Sequence, residues 1–222
     1  MDHQTAISLL EPYSSCDISD ALCKLIHLNI IGHFPRVVSY SPKTPVRIAG
    51  PAYTVEFVLT SNTAAAKAKM NHVDTAPPGS IIVIKAHRDA PNAVWGGLMT
   101  ARAKSVGVKG AVIDGNIRDI AELHEFDFPV WASGQSTMGA APFCRPTGVT
   151  EPITIGEATP WPVVVKTGDI IVADEDGVVR IPLEHVELVA KECKLRVEMD
   201  KKCMHDIKNG STIVDAFAKH RK

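Results

Sequence analysis

The chain has 222 residues, enough for one large domain with a full core or two small ones. Apolar residues make up 45% and charged residues 22%, an ordinary globular balance, and a formal net charge of −1 leaves no concentrated basic surface for nucleic acid. No apolar run approaches the roughly 18 residues of a membrane span. The start, MDHQTAISLLEPYSS, lacks a basic segment, an apolar core and a cleavage site, so no secretory signal and a cytoplasmic location are expected. Cys16, Cys23, Cys144, Cys193 and Cys203 form no CxxC pair and read as reduced thiols. The CMH at 203–205, with Cys193 upstream, has no fourth ligand in view and is set aside as a zinc site.

In chain order, SSCDISDALCKLIHL (14–28) reads as a capped helix with an apolar face at Ile18, Leu22, Leu25 and Ile26. AGPAYTVEFVL (49–59) alternates with period two, a strand. NTAAAKAKMNHV (62–73) is Ala-rich and predicted helical, with PPGS closing the passage after it. IIVIK (81–85) is a short, wholly apolar strand, and NAVWGGLMTARAKSVG (92–107) a helix closed by Gly107. AVID (111–114), IRDIAELHEF (117–126) and PVWA (129–132) continue as strand, helix, strand. Strands too apolar for a wet face, alternating with helices, predict parallel strands on right-handed crossovers.

Residues 133–162 are rich in Gly, Pro, Ser and Thr and read as one long loop. GDIIVADEDGVVRIP (168–182) predicts an antiparallel hairpin about an Asp-Gly turn. A long helix over 183–208 follows, with a shorter one after Gly210. Its lysines and arginines alternate with acids, which describes a solvated face. The whole is expected to be a single α/β domain over 1–222, with a core at about 15–182 and a helical arm at 183–222. The projecting arm points to a homo-oligomer.

Ligands of parallel sheets gather at the carboxyl ends of strands. One such corner carries WGGLM, where Gly96 and Gly97 either admit a ligand to helix N–H groups or merely let helix and sheet pack closely. The other carries Arg118 and Asp119. An acid in a helix's first turn suits the helix dipole, but an arginine there opposes it. The pair is either a surface ion pair or an anion site beside a cation site, with the arginine fork fitted to a carboxylate or enolate oxygen. Lys85, closing a buried strand, raises the separate option of Schiff-base chemistry, which nothing else supports.

WGGLMTARAKSVGVKGAVIDGNIRDIAELHEFDFPVWASG, with TGDIIVADEDGVVRIP downstream, resembles the family of the regulator of ribonuclease E activity A over about residues 15–200. That family includes metal-dependent 4-hydroxy-4-methyl-2-oxoglutarate aldolases that also decarboxylate oxaloacetate. The resemblance implies a layered, swivelling-type α/β domain with a parallel central sheet, assembled as trimers or hexamers. It implies Asp119 as a ligand of Mg²⁺ or Mn²⁺, and Arg118 as the grip on the keto or enolate oxygen of pyruvate. Backbone N–H groups of Leu98 and Met99 would hold the pyruvate carboxylate. Glu198, in LRVEMD, is matched to a glutamate that a neighbouring subunit contributes.

Two positions depart from the aldolases: Gly97 replaces an acid, and Pro142 replaces a lysine. His87, in IKAHRDAPN, is the candidate substitute for the acid, since an imidazole transfers protons near neutrality. Arg145 is the candidate substitute for the lysine. The expected function is a divalent-metal lyase of 2-oxo acids. Decarboxylation, which deprotonates no alcohol, should survive the Gly97 change better than aldol cleavage. Against it stand a regulatory protein like the ribonuclease-inhibiting members, or a reaction on a larger carbonyl substrate shaped by the loop from Met138 to Phe143.

Overall fold

The computed structural model describes residues 1–25 and 31–221. Two helices open the chain, α1 (His3–Leu10) and α2 (Ser15–Lys24). The second begins in a capping box: Asp17 N–H donates to Ser14 Oγ, and Ser14 N–H donates to the Asp17 carboxylate. Ile18, Leu22 and Leu25 are buried as predicted; Ile26 lies outside the described residues. Then come β1 (Val38–Ser41), β2 (Ile48–Leu59), β3 (Ile81–Lys85), β4 (Ala93–Trp95), α3 (Gly97–Ser105), β5 (Gly110–Ile117), α4 (Ile120–Glu125) and β6 (Val130–Gln135). The second half holds β7 (Cys144–Val149), β8 (Ile153–Ile155), β9 (Val163–Val165), β10 (Ile170–Ala173) and β11 (Val178–Ile181). A 3-10 turn at Leu183–His185 leads into α5 (Val186–Lys208), and α6 (Ile213–His220) closes the arm.

The main sheet runs β1-β6-β5-β3-β2-β10-β11. Its centre, β6-β5-β3-β2, is parallel, and the pairs at either flank are antiparallel. The predicted hairpin is β10–β11, joined to β2 along Ile170↔Pro51 to Ala173↔Ile48. Both faces of the sheet are covered, which explains the continuous apolar runs. On β3, Ile82 and Ile84 face a cluster beneath α3 and α4, while Ile81 and Val83 face the small β8–β9 ribbon. The helices α1, α2 and α5 cover Ile170, Val172, Val179 and Ile181 of the hairpin. The architecture is layered α/β, and no described helix is long and apolar enough to cross a membrane.

Four segments differ from the sequence expectation. Residues 62–73 are turns and bends, not a helix. A helix there would use the carbonyls of Asn62, Ala65 and Ala66, but the Arg145 guanidinium donates to all three at 2.6–2.8 Å. The 92–107 helix starts only at Gly97, because Ala93–Trp95 are fully buried and pair with β5 as β4. The 117–126 helix starts only at Ile120, since β5 extends through Ile117. The supposed loop at 133–162 contains β7 and β8; β7 is an edge strand beside β2, where Pro146 and Gly148 are tolerated.

Candidate functional site

The two corners meet because β4 and β5 lie side by side and parallel, with Trp95 opposite Ile117. Each strand hands over to a helix at the same level, and Arg118 N–H donates to Trp95 O at 3.0 Å across the seam. Arg118 therefore stands ahead of α4, not in its first turn, and the conflict with the helix dipole disappears. Asp119 is the residue before α4, held left-handed at φ 60°, ψ 41°. That conformation strains most residues by about 1–3 kcal/mol, though aspartate tolerates it better than others. Its effect is to turn the carboxylate away from its own helix. Asp119 makes no cap bond to α4; its Oδ2 accepts from Gly97 N–H of α3 at 3.1 Å instead.

Gly96 makes this approach possible. A Cβ on Gly96 would sit 2.5 Å from Asp119 Oδ2 and 3.1 Å from Arg118 Cγ. A Cβ on Gly97 would collide with Glu122 Oε2, so the Glu122 carboxylate occupies the space that a side chain at position 97 would otherwise take. Two carboxylates thus converge on the start of α3. At that start, Thr100 N–H already returns to Gly96 O and Gly97 N–H goes to Asp119. The N–H groups of Leu98 and Met99 are ones a helix start leaves without an internal acceptor, the kind of donor that suits an anion.

Arg118 and Asp119 both line a cavity of about 260 Å³, together with Gly96, Leu98 and Met99. Their Nε–Oδ2 separation is 3.3 Å, with 43% and 32% of the two side chains exposed. So exposed a pair contributes on the order of 0–1 kcal/mol, which gives it no architectural role. Gly139 packs against the guanidinium edge: a Cβ there would lie 3.3 Å from Nη1. On its other side the pair borders a second hollow with Gln135, Ser136 and Thr137.

The remaining candidates are dispersed. His87 lies in a separate cleft with Lys85, Arg88 and Asp114 and does not line the cavity of Arg118 and Asp119. Lys85 is bracketed by Glu157 at 3.0 Å and Glu56 at 3.2 Å. Burial pulls its pKa down, but the hydrogen bonds to Glu157 and Glu56 outweigh it and the net shift is upward. A charged, doubly paired ammonium is a poor Schiff-base nucleophile. Arg145 is committed to the carbonyls of Asn62, Ala65 and Ala66, while Pro142 lies within the turn at residues 141–143, two residues past Ala140 of the cavity wall. Glu198 is on α5, beside Lys24, Arg196, Lys202 and Arg221, and not in the same chain's cavity.

Two residues that the sequence did not single out belong here. Glu122 could have been found, since it follows Asp119 by one helical turn on the same face. His72 carried no signal within a stretch that reads as helix. It is 3% exposed, stands edge-on to Phe57 with ring centroids 5.5 Å apart, and lines the same cavity. Neither ring nitrogen has a hydrogen-bond partner, and burial pushes its pKa down to about 4. The imidazole is neutral at physiological pH.

The described residues hold no group of three or more His, Cys, Asp or Glu placed for a metal ion. The donor set is instead two carboxylates open to water, which fits a hard cation such as Mg²⁺ that keeps most of its waters.

A family model for RraA-like proteins (Aldolase/RraA) matches residues 15–180. A protein of Halalkalibacterium halodurans named "Putative 4-hydroxy-4-methyl-2-oxoglutarate aldolase" is 34% identical over 155 residues, which cover 70% of this chain and 69% of that one. The crystal structure of an uncharacterized protein from Pseudomonas syringae superposes with a TM-score of 0.78 at 28% identity, covering 96% of both chains. RraAS2 of Streptomyces coelicolor, described as an unusual member of the RNase ES inhibitor RraA protein family, shares the fold with a TM-score of 0.73. It is 23% identical and covers 93% of this chain and 96% of its own.

Proposed function

The chain belongs to the RraA-like (Aldolase/RraA) family, and from that premise we propose that it is a divalent-metal-dependent lyase that cleaves 2-oxo acids through a pyruvate enolate. The observation that carries this reading is the convergence of Arg118, Asp119 and the open N–H groups of α3 on one cavity. Leu98 and Met99 N–H groups bind the substrate carboxylate at the helix start. Arg118 presents its fork to the 2-oxo oxygen, where negative charge accumulates as the C–C bond breaks. A Mg²⁺ or Mn²⁺ ion held by Asp119, with Glu122 beside it, would supply Lewis acidity at that same oxygen.

In aldol cleavage the electron pair of the C3–C4 bond passes into the enolate, and the C4 hydroxyl gives up its proton. Glu122 is placed to accept that proton, directly or through water, in the position Gly97 leaves open. In oxaloacetate decarboxylation CO₂ leaves, its bonding pair passes into the enolate, and no hydroxyl proton moves; in both reactions the enolate carbon then takes a proton from water to give pyruvate. The same reading makes the protein a homo-oligomer, a trimer or hexamer, in which Glu198 reaches a neighbouring subunit's site. A sedimentation-velocity experiment that finds a monomer would remove that element.

The deciding experiment measures Mg²⁺-dependent pyruvate release from 4-hydroxy-4-methyl-2-oxoglutarate and from oxaloacetate. Asp119→Ala is expected to lower both by a hundredfold or more, and Arg118→Lys, which keeps charge but loses the fork, by at least tenfold. Release that persists unchanged in Asp119→Ala would discard the metal-lyase mechanism, and no release from the unmodified protein would favour a binding role.

A further inference from the structure

We infer that the second carboxylate of the substrate is received by the partner subunit's Lys202, so that a site selects dicarboxylic 2-oxo acids only when a neighbouring copy covers it. This rests on the lyase reading, with the pyruvyl head at Arg118, Asp119 and the start of α3 and with the partner subunit's Glu198 at the same site.

Both 4-hydroxy-4-methyl-2-oxoglutarate and oxaloacetate carry a carboxylate at each end, and one chain supplies too few cations for them. Among the described residues, Arg118 is the one cationic residue on the cavity wall, and the head engages it. The hollow on the other side of the Arg118–Asp119 pair adds the neutral Gln135, Ser136 and Thr137 but no further cation. Pro142 stands where the aldolases carry a lysine, and the carbonyls of Asn62, Ala65 and Ala66 occupy the Arg145 guanidinium. A carboxylate placed here without a cation would shed its hydration uncompensated. With Asp119, Glu122 and an incoming Glu198 around a dianionic substrate, a divalent ion and Arg118 still leave the site net negative.

The helical arm has what the cavity lacks. One side of α5 buries Val186, Val189, Ala190 and Cys193 in its own chain. The opposite side carries Leu188, Leu195 and Met199, with Glu198 and Lys202 in the same stripe, at spacings of three, four and seven residues. Leu188 and Leu195 are exposed, and at the cavity mouth Leu98 is 79% exposed. An apolar helix face and an apolar rim, each bare on its own chain, are both covered when a second copy lays its arm across the mouth. Lys202 follows Glu198 by one turn, about 5–6 Å away on that face. With Glu198 at the metal end of the substrate, the lysine stem spans to the distal end. The nearby Arg196 and Arg221 are held by Asp20 and Asp200, whereas among the described residues Lys202 has no ion pair. Its ammonium is free to meet a carboxylate as a compact point charge.

Isothermal titration calorimetry of the assembled protein in saturating Mg²⁺ uses two probes, pyruvate with one carboxylate and 2-oxoglutarate with two. Lys202→Gln is expected to weaken 2-oxoglutarate at least tenfold and pyruvate less than twofold, and Lys202→Arg to restore most of the loss. Equal effects on both acids, or none, overturn the inference while the lyase reading stands. If pyruvate does not bind the unmodified protein, the head assignment falls and takes this inference with it. Sedimentation velocity is expected to find the same oligomer in both variants; a loss of 2-oxoglutarate binding that merely follows dissociation overturns the contact with substrate.

Co-expressed mixed oligomers, purified through two different tags, test whether the lysine acts across the interface. Asp119→Ala subunits keep the arm and Lys202→Glu subunits keep the head, and each alone should be nearly inactive at subsaturating oxaloacetate. Mixed oligomers should regain turnover, because some sites then join an intact head to an intact Lys202. No recovery in mixed oligomers overturns the assignment to the partner.

Discussion

One methyl group at position 97 decides whether Glu122 takes over the work of the missing acid. Gly97 adopts a conformation open to any residue, so alanine there strains no backbone. The new Cβ would strike the Glu122 carboxylate end, which can swing away, and would lie 3.2 Å from Glu122 Cβ, a tight contact that a shift of a few tenths of an ångström relieves. Gly97→Ala should therefore fold with a melting temperature close to that of the unmodified protein. Aldol cleavage should drop at least tenfold, with a smaller loss in oxaloacetate decarboxylation, because only the former hands a hydroxyl proton to Glu122. Glu122→Gln should reproduce that split, and equal losses of both activities would remove Glu122 as the proton acceptor. The sequence singled out Arg118 through an apparent clash with the helix dipole; the structure removes that clash by placing Arg118 ahead of α4, and sets it beside Asp119 on the cavity wall. Asp119 in the left-handed region ends β5 and starts α4 in one step, a turn that no pattern of apolar residues encodes. His87 looked apt by chemistry alone, and the path of the chain after β3 carries it into another cleft.

At the level of elements, legibility followed how local the stabilising contacts are. β3 and the β10–β11 hairpin were readable because each is an apolar run whose neighbours along the chain pair with it or cover it. β4 hid inside a helical pattern because Ala93, Val94 and Trp95 suit either state, and only pairing with β5 decides between them. Residues 62–73 misled for a sharper reason: the Ala-rich propensity is overridden by a guanidinium some eighty residues downstream. Arg145→Ala removes donors from the carbonyls of Asn62, Ala65 and Ala66. Hydrogen bonds to a charged group contribute about 1.5–3 kcal/mol when sheltered, and partial exposure here puts the whole loss at about 1–3 kcal/mol. Hydrogen exchange should accelerate across 62–72 while β3 and β5 keep their protection. Since Asn71 and His72 belong to the cavity wall, substrate KM should rise more than kcat falls. Unaltered exchange in that segment would mean that its shape is held by something other than Arg145.

For the molecule as a whole, the unpaired imidazole of His72 couples folding to pH with a sign that can be worked out. In the unfolded chain it takes a proton near its ordinary pKa of 6.5; in the folded chain burial delays protonation to about 4. Between those values the unfolded state binds more protons, so stability rises with pH and is lost on acidification from 6.5 towards 4. At 1.36 kcal/mol per pKa unit the full loss is about 3 kcal/mol, a large share of an ordinary domain's margin. Urea melts of the metal-free protein at several pH values across that window should show this slope. His72→Phe should flatten it by close to one proton, with other titrating groups common to both proteins. The same variant should be at least as stable at neutral pH, because it replaces two unsatisfied buried nitrogens with carbon beside Phe57 and Trp95. A chain selected for stability alone would place carbon there. The persistence of an uncompensated imidazole against the cavity is what a ligand contact would account for, and an identical pH slope in His72→Phe would show instead that the ring is not the titrating group.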